Sequence, residues 1–187
     1  MAVFSQPLKF PAVGPLGRLS AIMCVVVAVG GALAELVLGW VWLDPARVSS
    51  LVVPQIGITG VPVHLDGATR AAGFAVSMVP MLVLIYILHQ AYALFDAYRL
   101  GNVFSADAAV RLRRIGLGMI GLGFLRPITL TALGYVLTAA NPPGQKILSI
   151  GVSIDDYMIA AFGGLILAIG HVMVEAKRLA DENKDFI

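Results

Sequence analysis

The chain has 187 residues, of which 59% are hydrophobic and only 13% are charged. Soluble domains average about 45–50% apolar and about 25% charged residues, so this composition excludes an ordinary soluble domain and indicates a protein embedded in lipid. The net charge of +2 argues against a nucleic-acid-binding protein, and the single cysteine, Cys24, excludes an intrachain disulfide or a cysteine-based metal cluster.

Four apolar runs are long enough to cross a bilayer, which takes about 20 residues. In chain order they cover about residues 19–43, 71–95, 115–137 and 157–174. The first run exceeds the apolar core of a signal peptide and contains Glu35, so we expect it to be retained. The sequence therefore predicts an all-α membrane protein, a single domain that forms a bundle of four transmembrane helices.

Lysine and arginine are concentrated at one end of the predicted bundle. Nine lie on the side of the two termini and three on the side of the outer loops, while Arg126 lies inside the third span. Cytoplasmic segments of membrane proteins are enriched in these residues. We therefore expect both termini in the cytoplasm, with residues 175–187 forming a cytoplasmic tail.

The two outer loops, about residues 44–70 and 138–156, both carry strand signals. The first contains LVVPQIGITGVPVHL, which is rich in β-branched residues, and the second alternates apolar residues with small or polar ones over QKILSIGVSI. Such alternation has the period of a strand. We predict that strands from both loops pair into a small extracytoplasmic β-cap; the alternative is two mobile loops.

The third span opens with GLGMIG, in which Gly116, Gly118 and Gly121 match the dinucleotide-binding pattern G-x-G-x-x-G. That fingerprint requires a strand before the glycines, whereas here a helical pattern precedes them. Small residues along a membrane helix instead allow close approach of a neighbouring helix. We interpret these glycines as helix-packing residues.

Arg126 is the charged residue that is most costly to place in this chain. It lies roughly 18 Å along the helix from Arg114, and an arginine near the bilayer centre costs about 2.5–3.5 kcal/mol. Glu35 is the acidic residue clearly inside another span, roughly 25 Å from Arg18. We predict that Glu35 and Arg126 pair, directly or through water, either to set the helix register or to line a polar pathway.

Polar residues at the inner ends of the second and fourth spans could together bind a divalent metal ion. Such a site would combine four side chains from two helices: His89, Asp96, His171 and Glu175. No compact ligand motif supports it, and each carboxylate has an arginine three residues further on, so we favour interfacial polar groups over a metal. No catalytic or cofactor-binding pattern was found, and we expect a non-enzymatic protein without a cofactor.

Residues 95–115, FDAYRLGNVFSADAAVRLRRI, predict a helix–turn–helix hairpin at the inner end of the bundle. Gly101 or Asn102 suits the left-handed position that ends a helix, and Ser105 suits the start of the next one. Three arginines that follow are expected to contact anionic lipid headgroups: Arg111, Arg113 and Arg114.

The hairpin and the tail EAKRLADENKDFI resemble a bacterial membrane-protein family catalogued as domain of unknown function 2975. That family is typified by four spans, a G-x-x-F-[ST] turn after the second span, and an acidic-polar tail. Here the turn residues are Gly101, Phe104 and Ser105, and the tail residues are Glu175, Leu179, Glu182 and Asn183, with Lys184 and Asp185 where an acidic residue is usual. The resemblance covers roughly residues 20–187.

The resemblance implies a topology in the bacterial inner membrane and no particular chemistry. Genes of the family often lie beside that of a small helix-turn-helix regulator, which implies a cytosolic regulatory partner. We therefore expect a non-enzymatic interaction or regulatory protein, whose tail either is a solvated helix end or docks on that partner. The alternative is a small transporter or channel subunit, in a homo-oligomer, with Glu35 and Arg126 on a polar route.

Overall fold

The computed structural model describes residues 14–58, 60–103, 105–148 and 150–184, with backbone alone at 177 and 180–184. The elements in chain order are α1 (Pro15–Trp42), α2 (Pro45–Arg47), a π-helical turn (Val48–Val52), α3 (Val53–Ile56), α4 (Gly67–Arg99), α5 (Ala106–Thr138) and α6 (Ile154–Lys184). Four of them, α1, α4, α5 and α6 as far as Ala176, are long and apolar enough to cross a membrane. Three of the predicted spans lie within these helices and the first runs one residue past α1, to Leu43, so the helical bundle of four spans is confirmed for the described residues.

The long helices run antiparallel, and each packs chiefly against its neighbours in the chain. The extensive contacts join α1 to α4, α4 to α5, and α5 to α6, so that α1 and α6 lie at opposite ends of the series. Much apolar surface points outward; Leu36 on α1 and Phe124 on α5 are each 69% exposed. Apolar surface of this extent is expected where lipid takes the place of water.

The closest approach of two helices is between α5 and α6. A Cβ atom placed on Gly116 would lie 2.6 Å from the carbonyl oxygen of Gly163, and one placed on Gly163 would lie 2.8 Å from that of Gly116. Gly118 instead faces Ile87 of α4, and Gly121 faces open space. The glycines of GLGMIG therefore include packing residues, as predicted, but they point in three directions and do not form one stripe.

The loop end of the molecule comprises residues 43–66 and 139–153. Its described residues contain no strand, so the predicted β-cap is not confirmed. The two loops nevertheless meet, because the side-chain amide of Asn141 donates to the carbonyl oxygens of Pro62 at 2.8 Å and Gln145 at 3.2 Å. Hydrogen bonds from a side chain to the backbone hold the loops together here.

The first outer loop is helical where a strand was expected. Val48, Val52 and Ile56 recur at intervals of four, and all three pack into the cluster that contains Trp42 and Leu133. Their β-branched side chains suit a strand, but their spacing also suits one face of a helix. Because a helix buries all three side chains against the long helices, this segment is helical and not a strand.

Polar groups cap the start of α4. The Asp66 carboxylate accepts a hydrogen bond of 2.9 Å from the backbone N–H of Thr69. Hydrogen bonds from Thr69, first from its hydroxyl and then from its N–H, hold the pKa of Asp66 below its usual value. The cap fixes where the second long helix begins after the irregular end of the outer loop.

Candidate functional site

The interior of the helical region holds an ion pair between α5 and α6. Arg126 Nη1 lies 3.0 Å from Asp156 Oδ1, and the Asp156 side chain is only 2% exposed whereas that of Arg126 is 37% exposed. Asp156 Oδ1 makes no well-aligned hydrogen bond among the described residues. The contact is therefore mainly an attraction between charges, and it binds the start of α6 to the middle of α5.

Asp156 also belongs to a capping box that begins α6. Its Oδ2 accepts hydrogen bonds from the Ser153 N–H at 2.9 Å and the Ser153 hydroxyl at 3.0 Å, and its own N–H donates to Ser153 Oγ at 3.2 Å. This reciprocal pattern is the one that a serine and an acidic residue three positions later form at a helix start. One carboxylate thus both caps α6 and neutralises Arg126.

Replacing Ser153 with alanine is expected to lower the free energy of unfolding by about 1 kcal/mol, because the side-chain half of the capping box is lost. Unfolding of the purified protein in detergent micelles measures the change. Ser49→Ala is the control, since it removes a hydroxyl bond to the Ala46 carbonyl at an exposed site and should cost less than about 0.5 kcal/mol. Equal losses in the two variants would contradict the capping role.

The ion pair lies at a depth where the surrounding helices are apolar. Asp156 packs beside Gly123, where an added Cβ would meet the Asp156 carbonyl oxygen at 2.7 Å. From Gly123, α5 continues for fifteen residues to Thr138, which is roughly 22 Å at 1.5 Å per residue. Helix α6 therefore begins roughly level with the middle of α5 and not at the loop end. After α5 ends, the chain runs back along α5 towards the terminal end before α6 starts.

The described residues of the segment that returns along α5, 147–148 and 150–153, are not helical. At its first residue, a hydrogen bond of 3.0 Å from the Ile147 N–H to Thr138 Oγ1 fixes it to the end of α5. At its last residue, the Ser153 cap fixes it to the start of α6. Leu148, Ile150 and Val152 between these points are 72%, 78% and 73% exposed. Gly151 and Ser153 are exposed as well, so the alternation in the sequence does not separate buried from exposed residues here.

The structure gives Arg126 a different partner from the one predicted. Helix α1 packs chiefly on α4, and α4 in turn packs on α5, so Glu35 and Arg126 lie on helices that are not direct neighbours. Glu35 is exposed on α1 beside Gly39 and Trp40 and has no ion pair or hydrogen bond with any described residue. The pairing predicted for Arg126 was with Glu35, directly or through water; in the structure the acidic residue in contact with Arg126 is Asp156, and Glu35 makes no direct contact with it.

The hairpin between α4 and α5 is capped at both helix ends. Gly101 adopts a left-handed φ of 84°, and the Asn102 N–H donates to the Ala97 carbonyl at 2.9 Å, which ends α4 in a Schellman motif. Ser105 Oγ accepts a 3.1 Å hydrogen bond from the Ala108 N–H at the start of α5. Gly101 and Ser105 thus occupy the predicted positions, and the predicted turn residue Phe104 lies outside the described residues.

The three arginines of the hairpin differ in their surroundings. Arg113 packs against Gly170 of α6, where an added Cβ would lie 2.8 Å from its Cγ. Arg111 is half-buried, and Arg114 is exposed. Contact of these side chains with lipid headgroups stays a prediction. Arg114 is the best placed for such a contact because it is the most exposed of the three.

The candidate metal ligands do not converge. Asp96 pairs with Arg99 at 2.7 Å and Glu175 pairs with Arg178, as predicted, so each carboxylate is engaged by an arginine of its own helix. His171 Nδ1 contacts the Leu167 carbonyl at 2.9 Å, while His89 is exposed on α4. Within the described part of the chain no three such side chains form a metal-binding group.

The tail predicted from residue 175 onward continues α6. The helix runs to Lys184, ten residues past Val174, where its apolar run ends. Leu179 is 49% exposed on this extension. Glu182 and Asn183 lie in the helix, with only their backbone described.

Sequence reasoning missed Asp156 because it assigned that residue to the end of an outer loop. The available signal was SIDD, a serine followed three residues later by an acidic residue and then an apolar run, which is a helix-start signature. It places the start of α6 correctly. The pairing of that carboxylate with Arg126 depends on the packing of α5 on α6, for which the sequence holds no equivalent signal.

Four apolar antiparallel helices, with a buried aspartate of one paired to an arginine of another, indicate a multi-pass integral membrane protein. The chain belongs to the family described as "Protein of unknown function (DUF2975)", whose model matches residues 43–187. The match confirms the resemblance and covers α4, α5 and α6. No curated protein and no solved structure matches the chain.

Proposed function

We propose that this chain is a non-enzymatic interaction protein of the bacterial plasma membrane, with both termini in the cytoplasm, and that its terminal end binds a cytosolic regulatory protein. The observation that carries the proposal is the extension of α6. The apolar run of α6 ends at Val174, where charged residues begin, yet the helix continues to Lys184. From Val174 to Lys184 the extension adds roughly 15 Å of helix beyond the apolar region.

The charge distribution supports this orientation. The terminal end carries nine lysines and arginines and the loop end three, and such an excess is typical of the cytoplasmic side. At the loop end, Arg47 stacks over the Trp40 ring, with its Cζ 3.8 Å from the ring centre. A tryptophan at this level suits the opposite membrane interface.

The surface of the extension supports binding of a partner helix or groove. Leu179 is 49% exposed, and the Glu175–Arg178 pair lies beside it on the same helix. An apolar side chain flanked by charges is the arrangement that an amphipathic helix offers to a groove. The capped hairpin between α4 and α5 lies at the same end of the molecule and offers the partner a second surface of fixed shape.

The test is co-purification from the native membrane after in-cell crosslinking, with quantitative mass spectrometry. We expect one cytosolic protein to be enriched with the full chain, and lost when the chain is truncated before Lys177 or carries Leu179→Asp. Leu148→Asp is the matched control, because this leucine is 72% exposed at the loop end. Equal recovery of that protein with the truncated chain would contradict the proposal.

A small transporter or channel subunit is the second candidate, and the Arg126–Asp156 pair favours it. A helix that begins inside the membrane next to a charge pair occurs in transporters, where it forms ion or substrate sites. Ion flux into proteoliposomes tests it. Flux that disappears in the double variant Arg126→Leu, Asp156→Asn, while folding is retained, would favour this candidate over the first.

A further inference from the structure

Glu35 is an acidic side chain without a partner in the apolar region of α1. It lies five residues before Trp40, which is roughly 8 Å below that interfacial residue at 1.5 Å per residue. Its side chain is exposed and, among the described residues, has no hydrogen bond or ion pair. An ionisable residue at such a depth normally faces a protein partner or a water-filled cavity, because lipid does not solvate it.

Arg126 is satisfied only in part. A guanidinium group has five N–H donors, and in Arg126 it is Nη1 that approaches Asp156, at 3.0 Å. The Arg126 side chain remains 37% exposed. A second carboxylate could therefore approach it without displacing Asp156.

Glu35 and Arg126 lie at nearly the same depth. Trp42 packs on Gly73 across the α1–α4 contact, and the Cys24 thiol contacts the Tyr92 carbonyl, so Glu35 lies level with about Met81. The packing of Ile87 on Gly118 then places Met81 level with about Phe124. Arg126 lies two positions after Phe124, so Glu35 and Arg126 differ in depth by roughly 3 Å along the helix axis.

We infer that a second copy of this chain contributes Glu35 to the Arg126–Asp156 pair. Within one chain α4 separates the two charges, so only another copy can bring them together without rearranging the helices. Helices α1 and α5 run in the same direction, and a twofold axis along the membrane normal keeps Glu35 and Arg126 level. Each copy then donates one Glu35 and receives one, which closes the assembly as a dimer.

The face of α1 around Glu35 allows such a contact. Ala28 and Ala32 lie seven and three residues before Glu35, and Gly39 lies four residues after it, so all three share its side of the helix. A Cβ added to Gly39 would have no neighbour within 4 Å. Small residues let a second helix come close. The opposite face, at Val37, carries larger apolar side chains suited to lipid.

The geometric test is disulfide crosslinking in native membranes. In a Cys24→Ala background, Gly39→Cys on one copy and Leu130→Cys on a differently tagged copy lie one turn above Glu35 and Arg126 and should crosslink. Val37→Cys paired with Leu130→Cys is the control, because Val37 lies at a similar depth on the opposite face of α1. Crosslinking no stronger than the control would overturn the inference.

The energetic test measures the dimer dissociation constant of the full chain in liposomes by fluorescence energy transfer. Glu35→Gln should weaken dimerisation at least ~10-fold, because it removes the attraction between the Glu35 carboxylate and the Arg126 guanidinium across a desolvated contact. Val37→Gln adds the same amide at a similar depth and should change the constant less than ~3-fold. An unchanged constant in Glu35→Gln, or a monomer in the wild type, would show that lipid or water covers Glu35.

Discussion

Arg126→Leu is expected to lower the free energy of unfolding by about 3–5 kcal/mol, because it leaves the Asp156 carboxylate buried without a counter-charge. The Asp156 side chain is only 2% exposed, so water cannot replace the guanidinium. Unfolding of the purified protein in detergent, followed by the loss of helical circular dichroism, measures the change. This variant should have the largest effect of any single polar substitution described here.

The double variant Arg126→Leu, Asp156→Asn is the matched control. Asparagine keeps an oxygen that can accept from Ser153, so the cap is retained while both charges are removed. Replacing both members of a buried pair is often nearly neutral, and we expect most of the lost stability to return. A double variant as unstable as Arg126→Leu would contradict the ion pair as the source of the effect.

Gly116→Ala is expected to lower the free energy of unfolding by about 1–3 kcal/mol through overpacking. The added Cβ would lie 2.6 Å from both the Gly163 carbonyl oxygen and the Leu167 nitrogen, which are backbone atoms that cannot turn aside. Helices α5 and α6 would have to separate at their closest contact. The Arg126–Asp156 pair, which joins the same two helices, would be strained as well.

Gly121→Ala separates packing from the intrinsic effect of glycine in a helix. Gly121 lies on the same helix, but a Cβ there would have no neighbour within 4 Å. Alanine is favoured over glycine inside a helix by about 0.5–1 kcal/mol, so this variant should be slightly more stable than the wild type. Changes of the same sign in the two alanine variants, measured by denaturant unfolding, would argue against the close contact.

Local signals predicted much of this fold. The four spans followed from the length of the apolar runs, and residue type and position alone predicted Ser105 as the start of α5 and either Gly101 or Asn102 as the left-handed end of α4. Each of these features depends on a few consecutive residues and on the need to pair backbone groups at helix ends. The carboxylate–arginine pairs at Asp96 and Glu175 were predictable for the same reason, since their partners are one turn away.

The outer loop shows where local signals mislead. Val48–Ile56 is rich in β-branched residues, and their propensity favours a strand. Only the apolar cluster at the loop end, which includes Val48 and Leu133, reveals that one helical face is buried there. Propensity is a weak preference, and the burial of apolar side chains outweighs it.

The sequence by itself determined that this chain is a four-span membrane protein and that its basic residues lie mainly at one end, and it predicted a carboxylate partner for Arg126. These conclusions rest on composition, on run length and on the cost of an intramembrane charge. The tertiary structure decided which carboxylate that partner is. The packing of α5 on α6 through Gly116 and Gly163 brings Asp156 beside Arg126, whereas α4 keeps Glu35 away, because the neighbours of a helix depend on packing between segments distant in the chain.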